Sequence, residues 1–384
     1  MAEGTASPVH LPRRPIGQLG AAVLVWAALV STAGAEETLP PVKPLFDSAV
    51  RDTCICLGPE GTYYLTGTTA ANPAPARDKT GWWWVNEGIR LWKSRDLKQW
   101  QPLGLVWSLE KDATWAKQTK GGKRAVWAPE VHYINGTFWL PYSMNYRGCG
   151  LLKSTTGRAE GPYVDVKKDG PLTGRIDASL FQDDDGTVYW VYQDGRIARM
   201  NDDMTGLAEK PHLLKPANAK HVGFEGAFLS KYQNKYILMC ADFNRSERGR
   251  TYDCMAAVAD RVDGPYGDRY LAIRHAGHNM LFRTRDGLWM STFFGTPHDS
   301  TAIFTERPAI LPIAFDADGR FRPLRRTSAP PEAVAPSLDS PFHRGRGESQ
   351  RWRSLLYCTA PFGRGNNSRA RSSRFRTKGS SDGE

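Results

Sequence analysis

Four side chains able to exchange protons recur at matched points along this sequence, each ahead of a tight turn. They are Asp52, Asp177, Glu225 and His278, and each stands nine positions before the turn residue that follows it. Carboxyl and imidazole groups are the usual proton donors and acceptors in enzymes. A lone acidic residue ahead of a strand is normally solvated, but four at one register predict a shared polar pocket. The pattern favours a pocket first and catalysis second, because binding proteins also have acidic channels.

The segments around these residues read as β-hairpins. Aromatic or β-branched residues follow the turns, and Asn-Gly or Asp-Gly pairs supply the positive φ that tight hairpin turns require. A fifth copy has Trp127 at the same offset. The turn residues of the five copies, in chain order, are Gly61, Gly136, Gly186, Asn234 and Gly287. The copies recur about every 50 residues, with a longer first interval, and such a period predicts a solenoid, propeller or array.

Five hairpin units without a long amphipathic helix between them predict an all-β chain folded as a five-bladed β-propeller. In a propeller, the innermost strand of each blade lines the central channel. Residues at one point of the five inner strands therefore converge at one end of that channel. This predicts a site made of Asp52, Asp177, Glu225 and His278, with Trp127 as one wall of its pocket.

The chain also resembles glycoside hydrolase family 43 over roughly residues 45 to 325. No single motif carries this likeness, but the order and spacing of the motifs together are specific. Five of them contain the residues named above: Arg51-Asp52, Trp127-Ala128-Pro129-Glu130-Val131, Ile176-Asp177-Ala178-Ser179-Leu180-Phe181, Phe224-Glu225-Gly226-Ala227 and Gly277-His278. Others are residues 91–100 and the blade-ending turns at Glu160-Gly161-Pro162-Tyr163 and Asp263-Gly264-Pro265-Tyr266.

The resemblance implies a propeller that hydrolyses arabinose- or xylose-containing glycans with inversion, so the expected partner is an oligo- or polysaccharide substrate. It makes Asp52 the general base, Glu225 the general acid and Asp177 the third carboxylate. Trp127 and His278 are expected to bind substrate, and His278 matches a residue that lies beside a metal ion or water at the propeller centre. No cofactor is expected to be required. An optional calcium ion at that centre would be held mostly by water, because calcium prefers oxygen ligands.

Inverting hydrolysis needs these residue types for its own reasons. One carboxylate removes a proton from water, and a protonated carboxyl group, roughly 6.5–9.5 Å away, releases the leaving oxygen. The acid keeps its proton at neutral pH only if apolar surroundings or a negative charge raise its pKa. Phe224 and Phe228 would supply the apolar surroundings of Glu225, and an ionised Asp177 would supply the charge.

Two other functions remain open on the sequence. One is a glycosidase for another sugar, such as a galactoside or an algal glycan. The residues after the two aspartates and the Glu-Gly pair are Thr53, Ala178 and Ala227, where the family usually has proline. The other is a non-catalytic propeller that binds glycans through its carboxylates. The complete set of base, acid and third carboxylate favours hydrolysis over binding.

The beginning of the chain carries a separate signal. Residues 1–35 combine Arg13 and Arg14 with an apolar run and Ala33-Gly34-Ala35, which is typical of a signal peptide. The apolar run is too short to predict a membrane span. We therefore expect a secreted or periplasmic protein whose residues 36–326 form the catalytic propeller domain.

Residues 327–384 carry ten basic and five acidic side chains and are rich in Ser, Gly and Pro, which predicts a disordered basic tail. About half of the net charge of +11 lies there, so we predict no nucleic-acid partner for the propeller, and we expect a monomer. The six cysteines show no metal-ligand spacing. Cys240 and Cys254 are the candidate disulfide, since adjacent strands could join them in an oxidising compartment. The other cysteines are expected to be buried thiols.

Overall fold

The computed structural model describes residues 42–71, 82–118, 124–246, 249–300 and 302–324. The predicted signal peptide and the predicted basic tail lie outside these ranges, so both stay predictions. None of the helices within these ranges has the length and apolar character needed to cross a membrane.

The described residues form five antiparallel sheets, each of which is one blade, and this confirms the predicted five-bladed β-propeller. Blade 1 contains β1 (Val50–Leu57), β2 (Tyr63–Thr69), β3 (Gly88–Ser94) and β4 (Gln101–Ser108). Blade 2 contains β5 (Val126–Trp127), β6 (His132–Ile134), β7 (Thr137–Met144), β8 (Cys149–Ser154) and β9 (Tyr163–Asp165). Its innermost strand is split, because β5 and β6 both pair with β7.

The other three blades have four strands each in chain order. Blade 3 contains β10 (Ala178–Gln182), β11 (Val188–Tyr192), β12 (Arg196–Arg199) and β13 (His212–Leu213). Blade 4 contains β14 (Glu225–Tyr232), β15 (Lys235–Ser246), β16 (Gly249–Ala259) and β17 (Tyr270–Ile273). Blade 5 contains β18 (Leu281–Arg283), β19 (Trp289–Phe293), β20 (Ala309–Phe315) and β21 (Phe321–Pro323). Short 3-10 turns lie at Pro59–Gly61, Trp82–Trp84, Trp115–Gln118 and Asn145–Arg147.

The two inner strands of every blade form the hairpin that the sequence predicts. In blade 2, Asn135 and Gly136 both have positive φ, 51° and 78°, as a two-residue Asn-Gly turn requires. In blade 4 the left-handed residue is Gln233, with φ of 52°, directly before the predicted Asn234. Turn chemistry therefore located all five hairpins, to within one residue in blade 4.

The hydrophobic core of the propeller lies between blades. Successive side chains of a strand point to opposite faces of its sheet. In β11, Trp190 packs with Leu151 of blade 2, whereas Val191 packs with Leu238 of blade 4. Similar clusters lie between each of the other adjacent pairs of blades within the described residues. Both faces of a blade are thus covered by its neighbours, and the inner strands are held at fixed positions around the channel.

The ring closes between blades 1 and 5. Phe282 of blade 5 lies in one apolar cluster with Ile55 of blade 1. The segment before β1 also runs beside the last blade, where the Leu45 N–H donates a 2.7 Å hydrogen bond to the Pro308 carbonyl. The Val50 N–H donates to the carbonyl of Glu306 at 2.9 Å. Blade 1 is therefore fixed to blade 5 by side chains and by backbone.

The predicted disulfide between Cys240 and Cys254 is wrong. Strands β15 and β16 are adjacent, but Cys240 pairs with Met255, and Cys254 pairs with Ala241. Directly opposed residues share a face of a sheet, and the next residue along points to the other face. Cys240 therefore faces blade 3 and Cys254 faces blade 5, and the five described cysteines are all free thiols.

Candidate active site

The inner strands begin with unusual backbone conformations at the positions that the sequence singled out. Asp52, Asp177 and His278 have φ of 53°, 60° and 57°, in the left-handed region that most residues avoid. In blades 2 and 4 the left-handed residue comes one position later, at Ala128 and Gly226, with φ of 41° and 65°. The pairing register also shifts here in blades 1 and 4. Such bulges re-aim side chains at the rim of a sheet.

The five predicted site residues all line one pocket of about 480 Å³. The other side chains around it are largely aromatic or cationic. They are Arg51, Thr68, Trp83, Trp84, Tyr146, Ile176, Phe224, Phe243, Arg250 and His298. The structure thus brings the predicted carboxyl groups, the histidine and the tryptophan together at one mouth of the channel.

Asp52 is buried and its carboxylate is held from two sides. The Thr68 hydroxyl donates a 2.7 Å hydrogen bond to Asp52 Oδ2, and the His278 Nδ1 lies 3.4 Å from Oδ1. Thr68 Oγ1 in turn accepts a hydrogen bond from the Ala128 N–H at 2.7 Å. Because this N–H occupies one lone pair of the hydroxyl oxygen, the hydroxyl hydrogen is directed at Asp52. Blade 2 therefore fixes the orientation of an acid in blade 1.

Asp177 lies next to Asp52 and is 6% exposed. Its Oδ2 accepts a 3.1 Å hydrogen bond from the Gly226 N–H, and its own N–H donates to Ser143 Oγ at 2.7 Å. Burial first, and the charge of Asp52 second, raise the pKa of Asp177 to about 8, against the effect of the Gly226 N–H. The sequence predicted an ionised Asp177, but a pKa of about 8 means that Asp177 is ionised only in part at neutral pH and gains its charge as pH rises towards 8.

Glu225 is half-buried and receives a 2.7 Å hydrogen bond from the Tyr252 hydroxyl at Oε1. Burial first, and Asp177 second, raise the pKa of Glu225 to about 7, while His278 and the tyrosine hydroxyl act in the opposite direction. Asp177 and Glu225 repel each other when both are ionised, so their protons leave in succession and the pair titrates as a unit. The pair therefore carries a proton at neutral pH.

The aromatic neighbours of Glu225 differ from the prediction. Phe224 lines the pocket and stacks on Phe243, with the ring centroids 5.4 Å apart. Phe228 instead lines a second cavity near the opposite mouth of the channel. The reason is the bulge between Glu225 and Phe228, which changes the alternation that a regular strand would have. Phe224 is therefore the apolar neighbour within the pocket.

His278 is buried beside the two aspartates, and Gly226 leaves the room for its ring. A Cβ atom on Gly226 would lie 2.8 Å from His278 Cγ. The Nδ1 atom of His278 is 3.4 Å from Asp52 Oδ1 and 3.9 Å from Asp177 Oδ2. These groups offer two carboxyl groups and one nitrogen, whereas calcium takes six to eight oxygen ligands. Water would have to complete such a site, and calcium at the propeller centre stays a prediction.

One wall of the pocket is a group of aromatic side chains around Trp127. Trp127 Nε1 donates a 2.8 Å hydrogen bond to the Trp83 carbonyl, which fixes the indole ring. Trp84 and Tyr146 contact that ring with centroids 4.9 and 5.0 Å away. Tyr146 is 71% exposed, which is high for a large aromatic side chain in a pocket. Amphipathic rings of this kind suit one face of a sugar.

Another part of the pocket lining is cationic. The Arg51 guanidinium lies 4.3 Å from the centre of the Trp83 ring and 3.6 Å from Glu306 Oε1. Arg250 stacks on Phe243 at 3.5 Å. Burial, and then the charges of Arg51 and Arg250, lower the pKa of His298. These groups offer hydrogen-bond donors to a polar ligand above the three acids.

Three residues that contact the acids or line the pocket follow no pattern in the sequence that would have predicted them. Thr68 lies at the end of a second strand, Tyr252 on a third strand, and Tyr146 in a 3-10 turn. The matched register marks only the innermost strands. Residues that reach the pocket from elsewhere follow no such period, although an aromatic residue just after β7 is a weak indication of a pocket rim.

The fold and the site together define a class of protein. It is a five-bladed propeller with an acidic residue from each of three blades at one mouth of its channel, beside an aromatic wall. Paired acids beside a sugar-sized cavity are the arrangement that glycoside hydrolysis requires. The sequence model of glycosyl hydrolases family 43 matches residues 42–321, and the chain belongs to that family.

Individual relatives are more distant. The chain is 27% identical over 305 residues to a putative β-xylosidase of Escherichia coli (strain K12), covering 70% of this chain and 50% of that protein. It is 22% identical over 283 residues to the extracellular exo-α-(1→5)-L-arabinofuranosidase ArbA of Cellvibrio japonicus, covering 65% and 80%. The chain spans between 50% and 59% of the length of the first three curated relatives that it matches.

Solved structures share the fold. A thermostable family-43 glycoside hydrolase superposes with a TM-score of 0.56 at 24% identity, covering 77% of this chain and 98% of that one. An endo-1,4-β-xylanase from Bacteroides thetaiotaomicron VPI-5482 gives a TM-score of 0.55 at 25% identity, with 74% and 97% covered. Nearly the whole length of both proteins therefore matches the propeller described above.

Proposed function

We propose that this protein is a secreted glycoside hydrolase that cleaves arabinose- or xylose-containing glycans with inversion. The observation that carries the proposal is the meeting of Asp52, Asp177 and Glu225 in one pocket of about 480 Å³. The xylosidase and arabinofuranosidase activities of the named relatives support the sugar class. We expect the enzyme to act as a monomer and to require no cofactor.

The general base is Asp52. Thr68 and His278 hold its carboxylate in place from two sides. In this orientation Asp52 removes a proton from the water that attacks the anomeric carbon, on the face of the sugar opposite the leaving group. The attack occurs on one face only, so the configuration at that carbon is inverted.

The general acid is Glu225. A pKa of about 7 means that a large share of Glu225 is protonated at neutral pH, and it can give this proton to the departing glycosidic oxygen. Asp177 is buried in the lining of the same pocket, and its role needs no contact with the sugar. Its role is to keep the pKa of Glu225 raised and, through the Gly226 N–H, to fix the start of β14.

The aromatic wall holds the sugar. Trp127, Trp84 and Tyr146 present rings that can pack against a pyranose or furanose face, and the most exposed of them is Tyr146. His278 contributes a polar group beside the two aspartates. Polar groups of this kind orient the sugar hydroxyls within the pocket.

The acid and base roles can be separated by two substitutions. Glu225→Ala should lower glycan hydrolysis by roughly 10²–10⁴-fold, yet spare an aryl glycoside whose leaving group departs without a proton. Asp52→Ala should impair both substrates alike, because water must be activated in either case. Azide should partly rescue Asp52→Ala and give a glycosyl azide of inverted configuration, measured by NMR. Asp202→Ala, at an exposed acid, is the control.

Two outcomes would contradict this assignment. If both alanine variants responded equally to leaving-group quality, the roles of Asp52 and Glu225 would be wrong. Full activity in either variant would mean that the replaced carboxyl group only binds the glycan, whereas no hydrolysis by the wild-type protein would indicate the non-catalytic alternative. Because the reaction with azide requires an active site that still binds sugar, rescue also shows that the variant is folded.

A second substrate class has support from one relative. The chain is 30% identical over 192 residues to the β-D-galactofuranosidase xynD of Aspergillus niger, covering 43% of this chain and 54% of that protein. This favours the galactoside alternative more than it does the algal glycan. A panel of nitrophenyl arabinofuranoside, xyloside and galactofuranoside substrates distinguishes the classes, since the proposal requires higher kcat/KM on one of the two pentosides.

A further inference from the structure

A second group of chemically active side chains lies in the same channel, outside the pocket. Single ligand atoms of Cys54, Glu130 and His132 lie within 4.8 Å of one another. Cys54 is on β1 in blade 1, whereas Glu130 and His132 belong to the split inner strand of blade 2. Cys54 and Glu130 are buried and His132 is half-buried. None of the proposed catalytic steps uses them.

Hydrogen bonds already arrange this group for ligation. The His132 Nε2 and the Glu130 Oε2 are 2.6 Å apart, so the imidazole and the carboxylate converge. The Val131 N–H donates to the Cys54 Sγ at 3.3 Å, and the thiol lies 3.6 Å from the Val131 carbonyl. Cysteine binds metals as the thiolate. Burial, and then the charge of Glu130, raise the pKa of the Cys54 thiol well above its usual range, against the effect of the Val131 N–H, so a metal must displace the thiol proton as it binds. The result is a sulfur, a nitrogen and an oxygen ligand around one point.

The distances require small shifts in both directions, because the 2.6 Å hydrogen bond between His132 and Glu130 must open and the longer separations must close. Zinc–ligand bonds are about 2.3 Å to sulfur and about 2.0–2.2 Å to nitrogen and oxygen, so tetrahedral ligands stand roughly 3.3–3.8 Å apart. The present upper limit of 4.8 Å is about one ångström longer. Mixed sulfur, imidazole and carboxylate sets favour zinc over calcium or magnesium, which prefer oxygen alone.

The site also has an access path. A cavity of about 330 Å³ near the opposite mouth of the channel is lined by residues from the inner strands of all five blades, among them Cys54 and His132. An ion could enter through this cavity, and a water molecule from it could fill the fourth coordination position. The pocket that holds the catalytic carboxyl groups shares none of these lining residues.

A comparable group elsewhere is arranged for a different purpose. Asp253, His275 and Asp299 also meet within 4.8 Å. However, Asp253 Oδ2 accepts hydrogen bonds from Asn244 and Thr251, and Asp299 accepts one from the Tyr252 N–H. Those carboxylates are used to hold Tyr252 and its strand. The group in the channel has fewer such donors and faces a cavity.

We propose that Cys54, Glu130 and His132 bind one zinc-class divalent ion, with water as the fourth ligand. Binding displaces the thiol proton of Cys54 to solvent, so the thiolate and the carboxylate together neutralise the charge of the ion. The ion joins the inner strands of the neighbouring blades 1 and 2. This proposal is independent of the hydrolytic function, since an inactive propeller could bind the ion equally well.

Cobalt(II) is the probe, because it takes zinc sites and absorbs light where zinc does not. The full chain, freed of metal by chelation, should bind one cobalt ion and show the near-ultraviolet thiolate-to-cobalt band. Cys54→Ser should lose this band, and His132→Gln should weaken cobalt binding by roughly tenfold or more. The matched control is Cys240→Ser, at a buried free thiol in blade 4, which should keep the band.

Thermal unfolding supplies a readout that needs no substitution. A ligand that binds only the folded state raises the midpoint of unfolding. Zinc should therefore raise the midpoint of the wild-type protein, whereas magnesium at the same concentration should not. If Cys54→Ser fails to fold, this measurement and His132→Gln decide the question. No cobalt band in the wild type, an undiminished band in Cys54→Ser, or equal effects of zinc and magnesium would each overturn the proposal.

Discussion

Asp177 and Glu225 are acids on neighbouring blades, and they reach the same pocket through different backbone conformations. Asp177 itself occupies the left-handed conformation, with φ of 60°, whereas Glu225 stands one residue before left-handed Gly226, with φ of 65°. Asp177 is consequently deep, and a backbone N–H holds it. Glu225 is half-buried, and a side-chain hydroxyl holds it. The left-handed residue thus lies one position later in blade 4 than in blade 3. With this difference, Asp177 lies deep and acts on the pKa of Glu225, whereas Glu225 is exposed enough to reach a leaving group.

The two acids are coupled through one peptide. The Gly226 N–H binds Asp177, and its lack of a side chain leaves room for His278. Burial raises the pKa of both acids, to about 8 for Asp177 and about 7 for Glu225. Removal of Asp177 and removal of the Tyr252 hydroxyl should therefore move the pKa of Glu225 in opposite directions. A change at Gly226 should disturb Asp177 and His278 together.

The largest effect is expected from Gly226→Ala. A side chain at φ of 65° costs about 1–2 kcal/mol in the backbone alone, and its Cβ would meet the His278 ring at 2.8 Å. Since a misplacement of about 1 Å can cost 10²-fold, kcat should fall by roughly 10²-fold, measured beside the midpoint of unfolding. Gly174→Ala is the control, because nothing lies within 4 Å of its Cβ position. Equal kcat in both variants would contradict the coupling through Gly226.

Asp177→Asn should have the next largest effect, on the pH profile. Without the second acid, the pKa of Glu225 should fall from about 7, because the negative charge that Asp177 gains as pH rises no longer holds the Glu225 proton. Glu225 then loses its proton at a lower pH, so the basic limb of kcat against pH should move down, by roughly one unit. A basic limb that stays in place would show that burial alone sets the pKa of Glu225.

The same substitution should change stability in a pH-dependent way. The pKa of Asp177 is raised to about 8 in the folded state, so its contribution to stability is complete below its unfolded pKa near 4 and is lost as pH rises towards 8. Asparagine carries no such loss. Urea unfolding should therefore show the variant gaining stability relative to the wild type between about pH 4 and pH 8. If the difference in the free energy of unfolding between variant and wild type stayed constant over this range, Asp177 would not ionise within it, and the prediction would be wrong.

The smallest effect is expected from Tyr252→Phe. The tyrosine hydroxyl stabilises ionised Glu225 and lowers its pKa, so its removal should move the basic limb of the pH profile upwards, by less than about one unit. This direction is opposite to that of Asp177→Asn. Tyr163→Phe, which removes a buried hydroxyl that donates to Ala159 at 2.9 Å, should leave the limb unchanged. A downward shift in Tyr252→Phe would reverse our account of this hydrogen bond.

The fold and the register of the inner strands could be predicted because short-range chemistry sets both. Turn residues locate each hairpin, and a fixed offset places one residue per blade at the channel mouth. The disulfide between Cys240 and Cys254 could not be judged in this way. A change of register by one residue moves a side chain to the other face of a sheet. The sequence shows that β15 and β16 are neighbours, but not which of their residues lie opposite each other.

Long-range partners were beyond the sequence for a related reason. Thr68 reaches Asp52 and Tyr252 reaches Glu225 from strands that carry no repeated polar position. Cys54 and Glu130 are 76 positions apart, so no ligand spacing marks them. Strand pairing within a blade brings the first two pairs together, and the packing of blade 1 against blade 2 brings Cys54 to Glu130. The same limit applies to Tyr146, which contacts Trp127 only because of the turn after β7.

The placement of the apolar core between blades has a consequence for how the molecule comes apart. An open array of repeats can fray from its outermost unit, since that unit has one neighbour only. Every blade here has two, and each packed interface is shared. Loss of any one blade would expose two apolar surfaces at once, so we expect the ring to unfold as a single cooperative unit. Opening should begin between blades 1 and 5, where the chain closes the ring and the Leu45 N–H bonds to the Pro308 carbonyl just before β20.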